Sequence, residues 1–126
     1  ENYSKTVNTE TKVIAQIEHV DAINNLEEIL LVDGIDATII GPYDLSGSLG
    51  KPGKYGDSDV KDVLTNYEKI STKVGVPMGY HVIEPDYKLV LEKIKEGYTF
   101  IAFSLDTLFL GTICRDQINR LREELK

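Results

Sequence analysis

Val13-Ile14-Ala15-Gln16-Ile17-Glu18 and Ala37-Thr38-Ile39-Ile40-Gly41-Pro42-Tyr43-Asp44-Leu45-Ser46 each run from a short apolar segment to a carboxylate. β-branched runs that end in an acid, with a helical pattern after each, are what parallel α/β proteins show where they assemble sites at the carboxyl ends of strands. Glu18 and Asp44 are therefore candidate metal ligands. Residues two apart on an extended segment share a face, so Ile14, Gln16 and Glu18 point one way and Val13, Ala15 and Ile17 the other. A glutamine and a glutamate on an inward face are costly to bury unless they bind something. The plainer alternative is a glutamate exposed at a loop start beside a glutamine bonded to a neighbour. Asp44 has its own plain alternative, as the N-cap of a short helical turn after Gly41-Pro42. Neighbouring parallel strands lie about 4.8 Å apart, so carboxylates just past two consecutive strands can converge on one cation. Two oxygen ligands completed by water and substrate suit Mg²⁺ or Mn²⁺.

The same alternation recurs outward from these motifs. Residues 12–18 read as a strand, and from Asp21 the residues Ile23, Leu26, Ile29 and Leu30 stand at helical spacing until Asp33-Gly34 stops them. Residues 35–40 form the second strand. A long loop follows through Gly47, Gly50, Pro52, Gly53 and Gly56, and Asp57 or Ser58 then caps a helix carrying Val60, Val63, Leu64, Tyr67 and Ile70. Residues 76–80 form the third strand, and Pro85 opens a helix with Leu89, Val90, Leu91 and Ile94 that ends near Gly97. Residues 99–104 form the fourth. From about Thr107 a last helix places Leu110, Cys114, Ile118, Leu121 and Leu125 on one stripe, which either covers the chain's own strands or exchanges onto a neighbouring subunit.

Four β/α units without hairpin signals predict an α/β fold, a parallel sheet with right-handed crossovers in a single domain over residues 1–126. Residues 1–11 are a polar lead-in. Four units are half of a (β/α)8 barrel, and 126 residues are half of the roughly 250 typical of that fold. The alternative is a small open doubly wound sheet. The opening at Glu1 without a methionine, with polar residues running directly into a strand, reads as a fragment or trimmed product.

Composition narrows the function. A net charge of −7 opposes broad attraction to nucleic acid or to an anionic membrane. Small metabolites and protein partners fit better. No apolar run approaches the roughly 18 residues that span a bilayer, and no secretion signal opens the chain, so the reading is cytoplasmic. The single cysteine, Cys114, excludes an intrachain disulfide and agrees with a reducing compartment. The glycines from Gly47 to Gly56 lack the Gly-Lys-Ser/Thr of a phosphate loop.

The order Gln16-Ile17-Glu18, Leu26-Glu27-Glu28-Ile29-Leu30, Gly34-Ile35-Asp36, Gly41-Pro42-Tyr43-Asp44-Leu45-Ser46 and Leu49-Gly50-Lys51-Pro52-Gly53 resembles the HpcH/HpaI aldolase family. The segment from Gly97 to Thr107 resembles that family's last strand and the turn after it. What the resemblance implies is the second half of a TIM barrel in a metal-dependent lyase that cleaves 4-hydroxy-2-oxo acids to pyruvate and an aldehyde. It implies Glu18 and Asp44 as ligands of Mg²⁺, Mn²⁺ or Co²⁺, and Gln16 in the catalytic and substrate-binding set. Gly41, Pro42, Tyr43 and Asp44 would line the pyruvate site, with Leu105 on the same wall. A homo-oligomer with terminal-helix contacts is implied as well. The family's arginine beside the enolate oxygen and its acid/base histidine have no counterpart here: Arg115, Arg120 and Arg122 lie on the terminal helix, and His19 and His81 match neither position. The isolated chain is thus expected to bind metal and catalyse poorly. The remaining readings are a noncatalytic acidic α/β module, receiver-like or an aldolase remnant, and a citrate-lyase-like acyl-CoA lyase.

Overall fold

Ile14–Ile17 (β1), Ala37–Ile40 (β2), Met78–Val82 (β3) and Phe100–Phe103 (β4) pair in chain order, every pair parallel. The computed structural model describes residues 3–126, apart from the side chain of Ser4. When each strand is added to the same edge through a right-handed crossover, every connecting helix falls on one face of the sheet. A doubly wound sheet, including a receiver domain, instead needs a point where the strand order reverses. Among the described residues the order never reverses, so the half-barrel expectation holds and the doubly wound alternative falls.

The two faces differ as pleating requires. On the helix side, Ile17, Ile40, Met78, Tyr80 and Val82 meet Ile23 of Val20–Asn24 (α2), Leu26 and Leu30 of Leu26–Leu30 (α3), and Val60, Leu64 and Tyr67 of Ser58–Val74 (α5). Burying each large side chain contributes about 1.5–3 kcal/mol. The Thr38 hydroxyl and the Tyr67 phenol, both buried, satisfy each other at 2.8 Å. On the other face the register aligns Gln16, Ile39, Gly79 and Phe100 across all four strands. A Cβ on Gly79 would fall 2.8 Å from Phe100 Cδ1, so the Phe100 ring lies directly over that glycine. Gln16 and Phe100 are exposed. This is the side that faces the interior in a closed barrel.

Several elements depart from expectation. The polar lead-in forms a helix, Tyr3–Glu10 (α1), whose Thr- and Asn-rich composition carries little helix propensity; Glu1 and Asn2 lie outside the described residues. The first strand starts later than Lys12 because Asp36 staples its approach, accepting from Lys12 Nζ and from the Val13 amide at 2.8 Å each. One helix after Asp21 becomes two, divided at Asn25, whose side chain donates to the Asp21 carbonyl at 2.9 Å. The glycine-rich loop begins later than expected, because Pro42–Ser48 is a helix (α4) that includes Gly47. β3 lies two residues further along than its predicted span, which places His81 inside the strand. Tyr87–Lys95 (α6) is capped by Asp86, and Asp106–Glu124 (α7) closes the chain. α7 buries none of its side chains, so it does not cover the strands of its own chain, and Cys114 is exposed on it. Its Phe109 meets the Phe103 ring edge-on at 5.1 Å.

Asp57 caps α5, as expected, and also clamps the preceding loop. Lys51 Nζ donates to Asp57 Oδ1 and to Asp59 Oδ2, 2.6 Å each. The Lys51 hydrogen bond is the largest influence holding both carboxyls below the ordinary 3.8. Groups with depressed folded values stabilise the native state above their unfolded value and lose that contribution as pH falls through the folded one. The clamp is therefore expected to persist below pH 3.8 and open further into acid. Carboxyl-carbon NMR titration checks this: both midpoints fall below 3.8 in the native chain and return towards it in Lys51→Met.

Candidate active site

β1 ends at Ile17 and leaves Glu18 at the rim. Gln16 and Glu18 share a face, as alternation predicts, and Gln16 Nε2 donates to Glu18 Oε2 at 2.8 Å. That bond fixes one carboxylate oxygen and leaves the other available. Across the strand gap the Gly41 amide donates to the Ile17 carbonyl at 3.1 Å, which sets Gly41 beside Glu18. A Cβ on Gly41 would stand 3.2 Å from both Gln16 Nε2 and Glu18 Oε2. Close approach, and not an unusual φ, is what requires glycine here.

α4 begins at once, with Gly41 as its N-cap and Pro42 inside its first turn, where a missing N–H costs nothing. Asp44 lies in that first turn, where the helix dipole favours its charge. It is exposed, while Pro42, Leu45 and Ser46 are buried beneath it. The N-cap alternative for Asp44 is thereby corrected: the cap is Gly41. Two serines hold the helix in place. Ser46 Oγ donates to the Tyr43 carbonyl at 2.8 Å and accepts from the Gly53 amide at 3.0 Å, drawing the loop back over α4. Ser48 Oγ donates to the Leu45 carbonyl at 2.7 Å and accepts from the Val20 amide at 3.1 Å. The chain just past Glu18 is thus tied directly to the helix that carries Asp44. Sequence reading did not find the Ser48 link; its only signal was the Ser-Gly-Ser ending of α4.

The donor set fits a hard divalent cation. It is all oxygen, and a glycine keeps the space beside Glu18 clear. Among the described residues no group of three or more His, Cys, Asp or Glu can hold a metal. Glu18 and Asp44 are two carboxylates, the oxygen type that a hard divalent cation takes, with further positions left to water.

Other predicted residues are placed differently. Tyr43 is 55% exposed with its ring against Gly53. Leu105 caps α7 after β4, on the far edge of the sheet. β4 is the strand furthest from β1 in the sheet order. His19 caps α2, its Nδ1 accepting from the Asp21 amide at 3.1 Å. His81 stands on β3, opposite Ala102 of β4, and its Nε2 is buried without a hydrogen bond. Arg115, Arg120 and Arg122 all lie on α7, where Arg120 pairs with Asp116 at 3.0 Å.

Comparison with known proteins agrees with this fold. Residues 1–111 match the model of the HpcH/HpaI aldolase/citrate lyase family. A hydroxypyruvate/pyruvate aldolase of Sagittula stellata is 37% identical over 112 residues, covering 88% of this chain and 43% of its own. A 2-keto-3-deoxy-L-rhamnonate aldolase of Escherichia coli O6:K15:H31 is 35% identical over 108 residues, covering 86% and 40%. The crystal structure of an HpcH/HpaI aldolase from Desulfitobacterium hafniense superposes with a TM-score of 0.87 at 29% identity, covering 97% of this chain and 47% of that one. The chain spans less than half the length of these relatives.

Gly41→Ala tests the close approach. The ends of Gln16 and Glu18 can swing aside but Glu18 Cβ, 3.3 Å from the added Cβ, cannot, so the variant is expected to lose about 1–2 kcal/mol of stability. The bond between them is expected to break, seen as loss of the distinct Gln16 side-chain amide resonances. Denaturant unfolding with NMR measures both; an intact Gln16 to Glu18 bond in the alanine variant contradicts the assignment.

Proposed function

The chain belongs to the HpcH/HpaI aldolase/citrate lyase family, and from that premise we propose that it is the metal-holding, C-terminal half-barrel of an aldolase cleaving 4-hydroxy-2-oxo acids to pyruvate and an aldehyde. The observation that carries the reading is the joint placement of Glu18 and Gly41, with the helix bearing Asp44 tied to the segment after Glu18 by Ser48. Glu18 and Asp44 would hold the divalent ion, Mg²⁺, Mn²⁺ or Co²⁺. When bound, it supplies Lewis acidity at the substrate's 2-oxo group.

Each residue of the chain then has a task. Gln16 orients the Glu18 carboxylate through its Nε2, the supporting contact that tunes a ligand. Gly41 and Pro42 keep the rim low so that a small oxo acid can approach the carboxylates. Tyr43 flanks the opening, and Leu105 is the more distant wall. None of these groups is a histidine or an arginine, so the set lacks an imidazole for acid/base work and a fixed positive charge at the reacting atoms. The chain by itself therefore binds the ion and turns over slowly. The exposed apolar stripe of α7 supports a homo-oligomer in which this helix docks on a neighbouring copy. The single thiol of Cys114 fits the reducing cytoplasm, and among the described residues no helix is long and apolar enough to cross a membrane.

Mn²⁺ binding followed by electron paramagnetic resonance, with pyruvate methyl-proton exchange as the chemical readout, tests the site. Glu18→Gln and Asp44→Asn are each expected to weaken Mn²⁺ binding at least about tenfold, the scale seen for perturbed metal shells. Glu10→Gln, on α1, leaves it unchanged. If Glu18→Gln and Asp44→Asn bind Mn²⁺ as the native chain does, the assignment is wrong. For the assembly, paired Ile118→Glu and Leu121→Glu changes on α7 are expected to convert an oligomer to monomer by light scattering; a native chain that already runs as a monomer overturns the docking role.

A further inference from the structure

The register carries the row that holds Glu18 two strands further across the sheet. Ile17 pairs with Ile40, Ile40 with Tyr80 and His81 with Ala102, so Glu18, Gly41, His81 and Ala102 continue one row at the carboxyl rim. Tyr80 and Val82, on either side of His81, are buried in the core beneath the helices, so alternation turns His81 to the uncovered face that Gln16 and Glu18 share. The Glu18 carboxylate leans over β2, the strand beside His81: its Oε2 lies 3.2 Å from where a Cβ on Gly41 would stand. Gly41 has no side chain, so none from β2 stands between carboxylate and imidazole in this row.

The two imidazole nitrogens differ. Nε2 is buried without a hydrogen bond. Nδ1 makes none among the described residues either, and it lies open to solvent. A buried N–H without an acceptor is rarer and costlier than a buried lone pair. The surroundings therefore assign the neutral tautomer with its proton on Nδ1, where water or a ligand accepts it. His81 thus offers a donor on the open face, in the row of a proposed metal ligand, that nothing in its own chain uses.

We propose, resting on the aldolase reading above, that His81 Nδ1 donates to the oxygen at C4 of the substrate and so selects 4-hydroxy-2-oxo acids over 2-oxo acids that lack that hydroxyl. Glu18 and Asp44 would serve the oxo-acid end, and the C4 oxygen is the next polar atom along the carbon chain. A site that bonds a substrate hydroxyl discriminates against the analogue without it, because its own polar group is then desolvated and left unpaired. Calorimetric titration of the chain in Mg²⁺ with 4-hydroxy-2-oxopentanoate and with 2-oxopentanoate is the test, joined to long-range proton–nitrogen NMR of the imidazole. The hydroxylated acid is expected to bind at least about fivefold more tightly, the scale of one hydrogen bond. It is also expected to move the His81 Nδ1 signal, which 2-oxopentanoate leaves in place. His81→Leu is expected to bind both acids with equal affinity, and His81→Asn, whose amide nitrogen can stand in for Nδ1, to restore part of the preference. The NMR shift in the native chain decides the matter even where His81→Leu does not fold. Equal binding of the two acids by the native chain, or a preference that survives in His81→Leu, overturns the proposal and leaves the aldolase reading standing. Absence of Mg²⁺-dependent binding of either acid overturns both.

Discussion

Gly41 is the constraint on which the rest of the rim depends. Its amide completes the last bond between β1 and β2, and its missing side chain makes room for Gln16 and Glu18. As the N-cap of α4 it also turns the backbone from strand into helix, so that Asp44 arrives within one turn of the strand end. A single residue thus joins the two sequence motifs at the rim of the sheet. Ser48 makes the second join, holding the start of α2 against the end of α4. With both ties in place, Glu18 and the helix that carries Asp44 are held in one unit.

Sequential strand order explains why the polar site lies where it does. With all helices on one face, the apolar residues of each strand have a single core to enter, and Ile17, Ile40 and Tyr80 enter it. The alternate residues are left on the uncovered face, where Gln16 and Glu18 bond each other. That face is polar on β1, at Gln16 and Glu18, and apolar at the level of Gln16 on β2 and β4, at Ile39 and Phe100.

The fold was legible because its signals are periodic. Alternation at Gln16 and Glu18, the Asp57 cap and the stripe of Val60, Leu64 and Tyr67 all repeat physical rules that act locally. Failures cluster where a side chain replaces a backbone partner. Asp36 supplies the acceptor that delays β1, and Asn25 divides one helical pattern into two. α4 was obscured because Gly47 and the nearby glycines read as loop, while buried Leu45 and Ser46 override that weak propensity. At the candidate site, the alternation that puts Gln16 and Glu18 on one face was readable. The Ser48 tie was not, since a hydroxyl bonded to an amide 28 positions away leaves no periodic trace. The polar segment of α1 was equally silent.

α7 shows how far a stripe alone can be read. Leu110, Ile118 and Leu121 recur at the spacing of a core-facing helix, yet they are 67%, 48% and 55% exposed. Periodicity reports that a face is meant to be covered; it does not report by which surface. Ser104, at φ +57, turns the chain sharply after β4, and Phe109 on Phe103 holds only the first turns of the helix near the sheet. The helix is held at one end, and its apolar side is uncovered along the remaining turns. The same reasoning separates it from α6, whose Leu89 and Val90 pack against the core beneath them.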